Sequence, residues 1–209
     1  PSLYIAGSTL GNMPGGVDGY VNVNAGGSDL FLARIHPDSG TLRWVRQYGT
    51  PGEDIAHGIT IDVSCMVFLA GSTTGSFDSP AAAGAVEEAF LMKLNASGGR
   101  MGLYQFNVDS NPQGSAAYAV AVEYPDRAYP VIYVAGGVPG NEQGSLFVAR
   151  VSWDLELLSP VAKLGGRTRG SDSDRPLAIA VDGNRNVVVV GSSPGNFEGG
   201  VSSGAEDII

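Results

Sequence analysis

Short apolar runs, each closed by glycine or a small polar residue, alternate along the whole chain with turn-rich polar segments. One run reads LYIAGST at 3–9, VFLAGST at 67–73, IYVAGGV at 132–138 and VVVGSSP at 188–194. Its central glycines are Gly7, Gly71, Gly136 and Gly191, at steps of 64, 65 and 55 residues. A second run follows it: SDLFLARI at 28–35, EEAFLMKL at 87–94 and GSLFVARV at 144–151. These share Phe31, Phe90 and Phe147, and each ends on a basic residue between apolar ones: Arg34, Lys93 and Arg150. A third run comes after a turn, at 42–48, 102–108 and 158–164, and a fourth is an apolar stretch closed by Asp62, Glu123 or Asp182. Four elements in fixed order at matched spacing are an internal repeat.

None of the runs has helical period or helical length, and Val, Ile, Phe and Tyr dominate them, so they predict strands. Several are apolar on both faces, which suits sheets covered on both sides. The expected fold is therefore all-β: a β-propeller of four-stranded antiparallel blades of roughly 55 to 65 residues, whose faces pack on neighbouring blades. Small residues inside the strands (Ala6, Gly58, Ala70, Ala119, Ala135, Ala178) fit close approach of sheets near a crowded axis. The glycine before Ser or Thr at each strand end is expected to supply a positive φ or a bulge, so a β-branched residue at Gly71 should destabilise its blade.

The succession Asp29–Leu30–Phe31–Leu32–Ala33–Arg34–Ile35, Gly40, Leu42–Arg43–Trp44, Tyr48–Gly49, Gly52–Glu53–Asp54, Gly58–Ile59, Asp62 and Ala70–Gly71–Ser72–Thr73–Thr74–Gly75–Ser76–Phe77 closely resembles the SBBP-type β-propeller repeat. The resemblance is strongest over 28–78 and more degenerate over the other copies. Trp44 gives way to Tyr104 and then to Ser159–Pro160, and the Gly-Glu-Asp triplet is missing before Tyr118. The family implies architecture and a setting in large secreted and cell-surface proteins; it implies no reaction.

Divided by the repeat, the chain reads as a partial blade at 1–54 carrying its second to fourth strands, full blades at 55–114 and 115–175, and a partial blade at 176–209 carrying two strands and the start of a third. That is about three to four blades, whereas propellers commonly close with about 4–8. The expectation is a portion of a larger ring in a longer chain, with apolar blade faces left open.

Composition changes this picture little. Among 209 residues, 31 glycines and 12 prolines fit many tight turns, and 43 % hydrophobic content fits a packed core. A net charge of −9 disfavours nucleic-acid binding and anionic membrane surfaces. No run is long enough to span a bilayer as a helix. The lone Cys65 excludes an intrachain disulfide, and its apolar neighbours predict a small buried hydrophobe.

Candidate chemistry is sparse. His36 and His57 sit in different elements without metal-ligand spacing, and no nucleophile elbow, P-loop or zinc-binding helix occurs. His57 occupies a strand position that repeats as other residue types, which favours a structural role. The acidic loop at 170–174 offers Asp172 and Asp174 as weak calcium candidates, with turn chemistry as the competing role; Ser173–Asp174 is analogous to Glu53–Asp54. Asn95–Ala96–Ser97 is a glycosylation sequon in a predicted exposed turn. Trp44, Tyr118, Tyr124, Tyr129 and Tyr133 either pack between blades or line a carbohydrate or peptide surface.

The expected role is a non-catalytic structural and protein-interaction module of an extracellular or cell-surface assembly. Its partners would be other subunits or the remainder of its own chain, engaged through the variable loops at 11–27, 75–87 and 166–175. The alternatives are a propeller lyase or hydrolase with a central-channel site, and a glycan-binding module. No cofactor beyond a candidate calcium ion is expected.

Overall fold

The computed structural model describes residues 2–15, 18–78, 86–124, 129–139, 146–159, 161–164, 174–193 and 207–208. These residues are all-β, with no α-helix and one 3-10 turn at Val108–Ser110. Strands β1 (Leu3–Thr9), β2 (Asp29–Ile35) and β3 (Leu42–Tyr48) form the first sheet. The second holds β4 (Asp54–Ile61), β5 (Val67–Thr73), β6 (Glu88–Leu94) and β7 (Arg100–Phe106). The third holds β8 (Ala116–Glu123), β9 (Val131–Gly137), β10 (Leu146–Ser152) and β11 (Ala162–Leu164). The fourth holds β12 (Arg175–Val181), β13 (Val187–Ser193) and the short β14 (Asp207–Ile208). Every sheet is an antiparallel meander in chain order, and none closes on itself.

The sheets stack in the same order. β4 packs on β1 and β2, β8 on β4, β5 and β6, and β12 on β8 and β9. This explains the two-faced apolar runs. In the second sheet, Val67, Leu69, Phe90, Met92 and Leu94 enter a core shared with Leu30, Leu32 and Trp44 of the first. The intervening Phe68, Ala70, Ala89 and Leu91 enter a second core with Val120, Ile132, Val134 and Phe147 of the third. Alternate side chains of one strand therefore serve different cores, so neither face tolerates polar residues.

The glycine–phenylalanine pair is a cross-strand unit. Gly7, Gly71 and Gly136 stand directly opposite Phe31, Phe90 and Phe147. A Cβ on Gly71 would lie 2.5 Å from Phe90 Cζ, so the ring lies over the bare backbone. Gly71 has no positive φ, contrary to one of the two expectations above; among the described residues the positive-φ glycines are Gly19, Gly40, Gly98 and Gly114. The bulge lies instead on the neighbouring strand, where the pairing skips one residue: His57 in β4, Tyr118 in β8 and Leu177 in β12.

One turn design joins several hairpins. The first residue's side-chain oxygen accepts from the backbone N–H two and four positions on: Asp62 from Ser64 and Met66, Asn95 from Ser97 and Gly99, Asp182 from Asn184 and Asn186. The fourth residue is left-handed, at Gly98 (φ 81°), Cys65 (φ 63°) and Arg185 (φ 69°). Cys65 is thus exposed at a turn and not a buried hydrophobe; the turn closed by Asp62 overrides its apolar neighbours. Because a side chain in this region is strained, Cys65→Gly should stabilise the protein by about 0.5–1 kcal/mol. The shift is read from the urea midpoint, and a decrease would contradict the strain.

Candidate functional site

Two places gather polar side chains. The first is the bulge end of the innermost strands. The bulge aims His57 of β4 across to Tyr118 of β8, with ring centroids 4.9 Å apart, and the Arg175 guanidinium lies 4.9 Å from the same tyrosine ring. His57 Nε2 sits 3.3 Å from the Ser72 hydroxyl. Burial, with a smaller contribution from Arg175, pushes the His57 imidazole down to about 4. A neutral imidazole beside a serine suggests a base and nucleophile, yet Ser72 is fully buried and the ring's partner is a hydroxyl, not an orienting carboxylate. The same bulge position carries Tyr118 and Leu177, neither of which performs imidazole chemistry.

His57 binds its proton more weakly in the folded state than at the ordinary value of 6.5. Its contribution is therefore complete above about pH 6.5 and is lost as pH falls toward about 4. Because His57 is a solvent-exposed residue of β4, screening discounts the loss to on the order of 1 kcal/mol. Replacement by the residue of the equivalent site in β8, His57→Tyr, should remove this component. The difference in urea stability between the two proteins, followed from pH 7 to pH 4, measures it; a pH-independent difference would refute it.

The second place is a cleft of about 660 Å³ between the first two sheets. Asn22 builds one wall by pairing its side-chain amide with the free edge of β3. It donates from Nδ2 to the Val45 carbonyl at 3.3 Å and accepts from the Gln47 N–H at 2.8 Å. That anchorage sets Tyr20 over Arg46, whose guanidinium lies 4.2 Å from the ring and 2.5 Å from the Asp18 carboxylate. Asp18 is held below the usual carboxylate range by its hydrogen bond from Arg46. Across the cleft, the Tyr48 hydroxyl donates to the Gly98 carbonyl, and its burial pushes the phenol well above its ordinary value. The Asp18–Tyr20–Arg46 group escaped the sequence reading because Asp18 and Tyr20 lie in a segment with no counterpart in the other copies.

The sequence candidates are dispersed. Asp174 is fully buried at the start of β12, and Asp172 lies outside the described residues. Asp54, at the matching place in the second sheet, gives its carboxylate to the Thr50 N–H and to the Thr50 and Thr73 hydroxyls, which is turn and strand chemistry. No group of three or more metal-ligating side chains occurs among the described residues. Asn95 lines the cleft, half-buried, with its Oδ1 committed to the turn and Ser97 exposed. Trp44 is buried between the first two sheets, Tyr118, Tyr124 and Tyr133 are partly buried, and Tyr129 is exposed. No single surface collects them. Among the described residues no helix is long and apolar enough to cross a membrane.

The chain matches no protein-family model and no curated protein.

Proposed function

We propose that each sheet is a blade of a β-propeller of the SBBP-repeat type, and that the chain is a non-catalytic structural and protein-interaction module of an extracellular or cell-surface assembly. One observation carries this reading: successive sheets are joined by the same clasp. Arg34 of β2 donates to the Ala96 carbonyl at 3.4 Å, and Lys93 of β6 donates to the Trp153 carbonyl at 2.9 Å. Ala96 and Trp153 are the second residues of equivalent turns, after β6 and after β10. Lys93 also lies 3.5 Å from the Trp153 ring centroid. A basic residue that in two successive sheets reaches forward to the next sheet's turn is a device for adding one blade to another.

Arg150 holds the same position on β10 and is exposed. Val188 and Val190 of β13 are likewise exposed on the face turned away from the third sheet. Such surfaces suit contact with further protein, not with solvent. Chemical cross-linking of the native assembly tests the role. Links from the 11–27 loop and from the β12–β13 face to another polypeptide segment are expected; a solitary, unlinked chain overturns the reading.

The cleft favours a second reading, a glycan-binding module, because Tyr20 offers a half-exposed ring beside Arg46, Gln47 and Asn95. A glycan array with Tyr20→Ala as control decides it: signal lost in the variant supports carbohydrate binding, and a blank array removes it.

A further inference from the structure

The strands β1 and β5 are nearly the same sequence, LYIAGST and VFLAGST, in the same place in their sheets. Their surroundings differ. β5 is buried along its whole length, paired with β4 on one side and β6 on the other. β1 pairs with β2 alone, and its other edge has no strand among the described residues. Leu3 and Ile5 are 48 % and 42 % exposed, whereas Val67 and Leu69 at the equivalent positions are fully buried.

The gap reaches the next sheet. Ile59 of β4 pairs with Leu69 and so shares its face toward the first sheet, yet it is 37 % exposed. Its counterpart in the third sheet, Val120, pairs with Val134 and is only 7 % exposed, because a complete sheet lies in front of it. Ile59 and Ile61 thus face the place where an innermost strand of the first sheet would lie. That leaves a free strand edge with Ile59 and Ile61 exposed in front of it, while Tyr4 and Ala6 of β1 turn to the shared core and Leu3 and Ile5 lie exposed on the opposite face.

We infer that the free edge of β1 accepts an extended peptide strand of the repeat's innermost type, antiparallel and in the register that β4 uses on β5. The inference rests on the blade reading above. The chemistry of the occupant follows from the three strands that fill this place elsewhere. Each carries a small residue or proline opposite the glycine (Ala56, Ala117, Pro176), then a bulged residue, then a small residue (Gly58, Ala119, Ala178), then alternating apolar positions. Gly7 supplies the bare backbone for the first of these.

The leading residue is an aspartate. Thr73 engages Gly75 through its hydroxyl and also donates to Asp54. Thr9 engages Gly11 in the same two ways, at 3.2 Å each, and no carboxylate among the described residues takes the place of Asp54 beside it. Main-chain hydrogen bonds along the edge would give affinity, and the apolar alternation would fix register.

The test uses a capped synthetic peptide with the sequence of residues 54–62, DIAHGITID, titrated into the 209-residue chain. Saturable one-to-one binding is expected, with slowed hydrogen exchange at the β1 amides that face away from β2. A peptide with proline in place of the residue corresponding to Thr60 lacks a central N–H that the register turns toward β1 and should not bind. Ile59→Lys in the chain should weaken docking at least about tenfold by placing an ammonium against the docked strand, with the melting temperature little changed because Ile59 is already 37 % exposed. No binding, protection mapped elsewhere, or full affinity in the variant overturns the proposal. So does self-association of the chain that the peptide fails to disperse, which would assign the open edge to a second copy. If docking fails while the amides of β5, β6 and β9 stay protected, the stacked-blade reading survives; if those amides exchange freely, both fall.

Discussion

Gly71→Val should cost about 3 kcal/mol or more, enough to unfold much of a marginally stable domain. A Cβ at this position would meet the Ile55 carbonyl oxygen at 2.0 Å and the Phe90 ring at 2.5 and 2.7 Å. The ring has some freedom to move. The carbonyl does not, because it belongs to β4, and moving it breaks the ladder that places the bulge. Gly136→Val should be as damaging, since its Cβ would lie 2.2 Å from the Ala116 carbonyl oxygen and 2.3 Å from Phe147 Cζ.

The informative comparison is Gly7. There a Cβ meets ring atoms of Phe31, at 2.9 Å, and no backbone atom at that distance, because no inner strand among the described residues lies beside β1. Gly7→Val should therefore cost distinctly less than Gly71→Val, and Gly11→Ala, with nothing within 4 Å, should be near neutral. Urea unfolding of the four variants orders them. Equal losses at Gly7 and Gly71 would show that the inner strand's carbonyl is not what forbids a side chain.

These glycines show what the sequence made legible and what it hid. Their recurrence before Ser or Thr marks the strand ends, and their pairing with phenylalanine was present as two separate repeats. The antiparallel register that sets Gly71 against Phe90 is a long-range fact, so the local reading expected a positive φ or a bulge at the glycine itself. The bulge was hidden for the same reason. His57, Tyr118 and Leu177 share no side-chain chemistry, and only the skipped pairing in β4, β8 and β12 marks them as one position.

Strand existence was easier, because apolar alternation and turn residues are local signals. Cys65 failed where the local signal conflicts with turn geometry: Val63 and Met66 argue for burial, but the carboxylate of Asp62 captures the Ser64 and Met66 N–H groups and turns the chain out. The cleft wall was illegible, since Asn22 mimics a strand partner for β3 with an amide side chain, and no periodicity announces that.

Asp54→Ala should cost roughly 2–4 kcal/mol, because it leaves three buried donors without their acceptor. Asp54 is fully buried and accepts from the Thr50 N–H at 2.6 Å, the Thr50 hydroxyl at 2.9 Å and the Thr73 hydroxyl at 2.5 Å. Burial raises its carboxyl above the ordinary value, and the hydrogen bonds from Thr73 and Thr50 oppose that rise only in part. The folded state therefore holds this proton more tightly than the unfolded chain. Its contribution is greatest below the ordinary aspartate range and declines as pH rises to the elevated folded value. The gap between wild type and Asp54→Ala should narrow over that interval and then stay constant.

The third sheet supplies the compensating change. There Ser115 stands in the place of Asp54 and Val138 in the place of Thr73, so the acid and the hydroxyl it satisfies are absent together. The Ser115 hydroxyl still accepts from the Val108 N–H, at 3.3 Å, as Asp54 accepts from Thr50. Asp54→Ser alone strands the buried Thr73 hydroxyl; adding Thr73→Val removes that donor and keeps an acceptor for the backbone. The double variant should be more stable than the sum of the two single losses predicts, with a coupling of about 1 kcal/mol or more. Strictly additive losses in a urea double-mutant cycle would mean that the pair is not the unit the fold exchanges between sheets.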